Sequence, residues 1–252
     1  MRLPVQRWQR GVRGLWGHLA HGLPVSFDPS KRKLIDTAFG TLRPAVRSFA
    51  DLGGVWRVEA GYTFYALDHY PIDRAYLVDT DITPRVSSKA GEYPQLDLIN
   101  GNFGDPSVAE TIGRVDAVFL FDVLLHQVTP NWDEILRMYA QVTDCFLIYN
   151  QQFIASDKTV RLADLGKEAY FQHVKMDPAI PHYRDFWEKP EEMHPQYQRP
   201  WRDIHNVWQW GITDRDLESL LNGLGFVLRH KRNCGRFSTW ESFENHAFVF
   251  TR

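Results

Sequence analysis

The chain has 252 residues, enough for one large domain or for a domain carrying an elaborated cap. Apolar residues make up 44% and charged residues 24%, so a core of ordinary size is expected without disulfide or metal staples. A net charge of −2 gives no general attraction for nucleic acid. No stretch approaches the roughly 20 apolar residues of a membrane helix. Cys145 and Cys234 form no CxxC pair, so neither a zinc site nor a redox motif is supported. Met1 to Leu23 lacks the apolar run of a signal peptide, and a cytoplasmic protein is expected.

Residues 1–46 read as a basic helical cap, with nine Lys or Arg against two Asp up to Arg47. Trp8, Val12, Leu15, Trp16 and Leu19 recur at helical spacing within Gln6 to Leu19. That helix is either a lid over an active site or a solvated helix with a basic face. From residue 47 to 252 the pattern becomes alternating short apolar runs and helical stretches. Ser48 to Leu52, Ala75 to Val78, Asp97 to Asn100, Val115 to Leu120 and Cys145 to Tyr149 predict five strands. Helices are predicted from Gly61 to His69 and from Trp132 to Val142. Such runs indicate a mostly parallel sheet covered on both faces. Residues 151–210, rich in Pro, His and aromatics, read as a helical lid insertion. Thr213 is a predicted cap for a helix to Leu224, with Asp216 in the capping-box position, and Gly225 ends it. Phe226 to Leu228 and Ala247 to Phe250 close the fold as strands.

In an open parallel sheet, ligands bind beyond the carboxyl ends of the strands, near the point where strand order reverses. The polar residues after each run are Asp51-Leu52-Gly53-Gly54, Asp79-Thr80-Asp81, Asn100 to Asp105, Phe121-Asp122 and Asn150-Gln151-Gln152. Glycine lets backbone approach a ligand, a carboxylate can accept from ribose hydroxyls, and a polar group beside an aromatic suits a base. The GxGxxG loop that cradles a pyrophosphate is absent. Instead Asp51 precedes the glycines, where it would repel a diphosphate and suit a ligand with ammonium and sulfonium charges.

These motifs resemble those of the class I S-adenosylmethionine-dependent methyltransferases over about residues 47–150 and, more loosely, 213–252. The resemblance implies a Rossmann-like α/β fold: a mostly parallel seven-stranded sheet, helices on both faces and an antiparallel C-terminal strand. It implies S-adenosylmethionine as cofactor. Asp51 and Gly53, with Gly54, would face its methionine part, and Asp81 or Asp79 its ribose. Asn102 and Phe103 would hold the base, with Phe121 and Asp122 beside the reacting end. The family's alternating glycines would fall at Val55 and Arg57, so Gly54 and Gly61 are expected to supply the slack in this loop.

Methyl transfer is an in-line displacement that needs placement, exclusion of water and, for a hydroxyl acceptor, a base. His126 and His205 are the catalytic candidates, and Asn150, Gln151, Trp208, Trp210 and Arg236 the substrate-side candidates. His126 is otherwise a helix-start residue, and the stretch from Asp203 to Trp210 otherwise a buried hinge. No metal is expected, because Asp122 and Asn150 find no third ligand. The expected function is O-methylation of a small molecule, a sugar or secondary metabolite. A nucleic-acid methyltransferase, a non-catalytic interaction protein on the same fold and a nicotinamide-dependent enzyme are the alternatives. Oligomeric state is not legible.

Overall fold

The computed structural model describes residues 27–252, so the helix expected over Gln6 to Leu19 lies outside the described residues. The first described helix is α1 (Pro29–Ile35). Asp28 caps it by accepting from the Ser30 amide at 2.7 Å, and Pro29 sits where no amide is needed. It runs into a π-helical turn at Asp36–Leu42. Five strands then alternate with four helices: β1 (Ser48–Leu52), α2 (Gly61–His69), β2 (Arg74–Asp79), α3 (Pro84–Ala90), β3 (Leu96–Asn100), α4 (Pro106–Ile112), β4 (Ala117–Phe121), α5 (Trp132–Tyr139) and β5 (Cys145–Phe153). A small pair, β6 (Val160–Arg161) and β7 (Trp210–Gly211), brackets α6 (Lys167–His173) and α7 (Pro181–Glu188). The chain closes with α8 (Asp214–Gly223), β8 (Val227–Arg236) and β9 (Phe243–Thr251).

The strands form one seven-stranded sheet in the order β3-β2-β1-β4-β5-β9-β8. β1 to β5 pair in parallel, and β9 lies antiparallel between β5 and β8. The Rossmann-like architecture expected from the sequence is therefore present, antiparallel C-terminal strand included. The order reverses at the β1/β4 boundary, which places a crevice beyond the carboxyl ends of these two strands.

Strand alternation divides the core. Phe49, Leu77, Phe119 and Leu147 face a layer containing Leu34 of α1, Phe64 of α2 and Val86 of α3. Val78, Val118, Leu120 and Ile148 face the other layer, with Ile112 of α4, Ile135 of α5 and Leu217 of α8. Both faces are buried, which is why the strands read as continuous apolar runs. A third cluster, including Tyr170, Phe186, Trp208, Trp240 and Phe243, holds the 160–211 region against the end of the sheet.

Three local readings are corrected. The fifth strand does not stop at Tyr149: Asn150, Gln151 and Gln152 continue it to Phe153 because β9 supplies paired backbone along its whole length. The helix from Trp132 ends at Tyr139, and the residues to Val142 turn. Thr213 caps α8 as expected, but Asp216 does not close a capping box. Its Oδ2 instead accepts from the Thr159 amide at 2.6 Å and so anchors the strand-like return of the insertion.

Phe119 is fully buried at the sheet centre, stacked at 4.7 Å on Phe49 and packed on Phe39 and Phe121. Phe119→Ala is expected to cost about 3–5 kcal/mol, measurable as a lowered midpoint in urea unfolding. A loss below about 1 kcal/mol would show that the two layers do not pack through this ring.

Candidate functional site

Asp51 ends its strand on the α2 face of the sheet and is only 1% exposed. Its Oδ2 accepts from the Thr63 hydroxyl at 2.6 Å, whereas Oδ1 accepts nothing from the described residues. Burial, opposed by the Thr63 hydrogen bond, pushes this carboxyl up to about 6. The two glycines that follow are there for contact reasons. Gly53 has φ +77°, and a Cβ there would stand 2.7 Å from Val123 Cγ1. A Cβ at Gly54 would stand 2.5 Å from Asp51 Oδ2. At Gly54 the backbone therefore lies directly on the carboxylate.

The slack in the β1–α2 loop comes from elsewhere than expected. Neither Gly54 nor Gly61 takes a left-handed conformation; Arg57, Glu59 and Ala60 do, with φ of 59°, 48° and 58°. Each non-glycine residue there costs about 1–2 kcal/mol. The path is held by the Ala60 amide donating to the Gly54 carbonyl at 3.0 Å and by the Val55 amide donating to Asp79 Oδ2 at 3.0 Å.

Asp79 thus fastens the loop, its Oδ1 also accepting from the Asp81 amide at 3.1 Å; burial raises its pKa. Asp81 is exposed, and its carboxylate makes no hydrogen bond among the described residues. Thr83 and Pro84 start α3 two residues later, the Thr83 hydroxyl accepting from the Val86 amide at 3.1 Å. Asn102 Oδ1 accepts from the Gly104 amide at 2.9 Å, which leaves the Asn102 NH2 group free of the described residues. The buried Phe103 ring lies 3.5 Å from the position of a Gly53 Cβ, and the Tyr139 hydroxyl donates to the Phe103 carbonyl at 2.8 Å. The β1, β2 and β3 candidates therefore border one loop.

Asp122 follows β4 with φ +59°. Its Oδ1 accepts from Gln151 Nε2 at 2.7 Å; its Oδ2 is bound by the ammonium of Lys31, a residue of α1. Phe121 meets the Tyr62 ring edge-on at 5.5 Å. Gln151 also donates to Asn245 Oδ1 at 3.0 Å. Asn150 is not brought together with Gln151: as its neighbour within β5 it points to the opposite face, paired with His246, which itself is held by Asp214 at 2.9 Å. Arg236 pairs with Glu244 at the outer end of β8 and is exposed.

His126 sits in the turn after β4. Its Nδ1 lies 2.8 Å from the Val207 carbonyl, which can only accept, so Nδ1 carries the proton and Nε2 the lone pair. Burial lowers its pKa. His205 is engaged differently: its Nε2 meets the Arg199 guanidinium and, at 3.1 Å, the Val128 carbonyl. Burial and Arg199 push it down to about 4, which fits a latch between the insertion and the post-β4 loop. Trp208 is buried against Trp240 at 4.6 Å, Phe243 at 4.7 Å and Phe237 at 5.2 Å. Trp210 donates its indole N–H to the Gln127 carbonyl at 2.6 Å. Sequence reasoning missed Lys31, Tyr62, Thr63 and Tyr149. Only the basic run Lys31-Arg32-Lys33 after an Asp-Pro-Ser start gave any signal. Among the described residues, no cluster of three or more His, Cys, Asp or Glu is placed to hold a metal ion, and no helix is long and apolar enough to cross a membrane.

No protein-family model and no curated protein matches the sequence. Solved structures do match. The Burkholderia thailandensis 1,6-didemethyltoxoflavin-N1-methyltransferase, with 1,6-didemethyltoxoflavin and S-adenosylhomocysteine bound, is 14% identical with a TM-score of 0.56 over 89% of this chain and 78% of that one. The N-terminal domain of EvdMO1, in the presence of S-adenosylhomocysteine and D-fucose, is 16% identical with a TM-score of 0.55 over 90% and 84%. An O-methyltransferase family protein from Burkholderia thailandensis is 15% identical with a TM-score of 0.53 over 88% and 56%.

Ala60→Gly tests the loop path: relief of the left-handed strain exceeds the entropic cost of glycine, so stability is expected to rise by about 0.5–1 kcal/mol in denaturant unfolding. A destabilised variant would mean that Ala60 is not held in this conformation. At identities this low the likeness is one of architecture: the chain has the Rossmann-like fold of these methyltransferases.

Proposed function

We propose that the chain is an S-adenosylmethionine-dependent methyltransferase that methylates an oxygen of a small molecule such as a sugar or secondary metabolite. The observation that carries this reading is the buried Asp51 at the switch point, with one oxygen that accepts nothing from the described residues and glycine backbone against it. A diphosphate has no place beside that carboxylate, whereas a cationic amino-acid nucleoside does. The residues present fit such a ligand. Asp51 and the Gly53–Gly54 backbone would hold its methionine part and Asp81 its ribose, with Asp79 keeping the loop in place. The Asn102 NH2, which donates to none of the described residues, and the Phe103 ring would meet the base. Phe121 and Asp122 would flank the reacting end.

The cofactor supplies an activated methyl group; the protein supplies placement and dryness. His126 is the candidate base. Fixed as the Nδ1–H tautomer and kept neutral by burial, it offers the Nε2 lone pair to an acceptor hydroxyl. Gln151 and Asn245 add polar contacts on the Asp122 side, and the buried aromatics around Trp208 pack beside His126. The net charge of −2 gives a polyanionic acceptor no general attraction. A cytoplasmic location accords with this activity.

S-adenosylhomocysteine at about 100 times its Kd should stabilise the protein by roughly 2.7 kcal/mol, seen as a thermal shift, and Asp51→Ala should abolish the shift. A shift with NAD instead would support the nicotinamide alternative. The pH dependence has a definite sign. Asp51 is protonated below about 6 and ionised above it, and the ammonium group of the ligand favours the ionised form. Affinity for S-adenosylhomocysteine is therefore expected to rise from pH 5 to pH 7 in the native protein and to stay flat in Asp51→Asn. An equal slope in both would assign the dependence to another group.

A further inference from the structure

Lys31 belongs to α1, but its ammonium lies among residues of three other elements. It binds Asp122 Oδ2 beyond β4, and it stands 4.9 Å from the Tyr149 ring centroid in β5 and 5.4 Å from that of Tyr62 in α2. The two hydroxyls are turned away from it. Tyr149 donates to Asp28 Oδ2 at 2.6 Å, and Tyr62 accepts from the Asp28 amide at 2.7 Å, so the ring faces are left to the cation. Asp122 is fixed by its left-handed backbone and by Gln151. The Lys31 side chain is 9% exposed, while that of Asp122 is 37% exposed. The cage is therefore filled from the α1 side, and its carboxylate stays partly open to solvent.

A carboxylate with two electron-rich ring faces is complementary to a compact organic ammonium and to little else. A neutral hydroxyl would gain one hydrogen bond but forfeit the ring contacts. An anion would meet Asp122 and Asp28 together. The resident ammonium sits on a flexible four-carbon stem, so it can leave while α1 stays seated. The residues around it are not mobile in this way: Tyr62 and Tyr149 are buried in the sheet–helix layer.

We propose that this cage is the recognition site for a positively charged amine on the methyl acceptor, with Lys31 as the resident cation that the amine displaces. The proposal rests on the methyltransferase reading and adds the charge class of its substrate: an amine-bearing hydroxy compound.

The test is calorimetric titration of the protein saturated with S-adenosylhomocysteine, using two matched sets of probes. One set is glucosamine, glucose and glucuronate; the other is tyramine, 4-hydroxyphenylethanol and 4-hydroxyphenylacetate. The amine of each set is expected to bind about tenfold more tightly than the alcohol, with the acid weakest. Lys31→Met should tighten amine binding about threefold or more by removing the competitor. Lys31→Arg, which keeps a resident cation, should bind amines as the native protein does. Asp122→Asn should erase the charge preference. Equal binding across a set, preference for the acid, weaker amine binding in Lys31→Met, or no amine binding at about 10 mM would each overturn the proposal. Loss of S-adenosylhomocysteine binding with the amine preference intact would instead overturn the methyltransferase reading.

Discussion

A carboxylate buried near the end of β1 is the constraint around which the site is arranged. Asp51 is nearly inaccessible, and burial alone would drive it to the neutral form. Thr63 of α2 offsets part of that cost by donating to one oxygen. Gly54 must follow because the chain turns back across the carboxylate with no room for a side chain, and Gly53 because its left-handed backbone lies against Val123. The loop after them then reaches α2 through three left-handed residues and is tied down by Asp79. A strained, glycine-poor turn around a half-satisfied acid has little purpose as scaffolding. It makes sense where a cation completes the set.

The second charged centre, Asp122, is built from more distant parts of the chain. The residue itself follows β4, Gln151 comes from near the end of β5, and Lys31 from the first described helix. Asp28 holds Tyr149 with its side chain and Tyr62 with its backbone amide, and the same side chain caps α1. The N-terminal helix is therefore part of the site's wall. Its seating and the geometry around Asp122 are one structural unit.

Much of this was legible in the sequence, for a physical reason. Parallel strands buried on both faces leave uninterrupted apolar runs, so the positions of β1 to β4, and the polar residues after them, could be read almost directly. β5 was read short because Asn150, Gln151 and Gln152 look like the end of a strand; their continuation depends on pairing with β9, about 95 residues away, which no local pattern records. For the same reason Asn150 and Gln151, adjacent in sequence, were grouped together although strand alternation separates them. The loop conformation was misplaced because glycine marks only where left-handed backbone is cheap, and Arg57, Glu59 and Ala60 adopt it at a cost. Lys31 was hidden by context. In a basic stretch one lysine looks like another, and only tertiary packing shows which one is buried.

The central claim is that Asp51 gives up its proton to receive the ammonium group of the proposed ligand. Calorimetry of S-adenosylhomocysteine binding at pH 6, in buffers of different ionisation enthalpy, counts that proton. With a carboxyl near 6, about half a proton should be released per ligand bound by the native protein and essentially none by Asp51→Asn. Binding to the native protein without proton release would contradict the account.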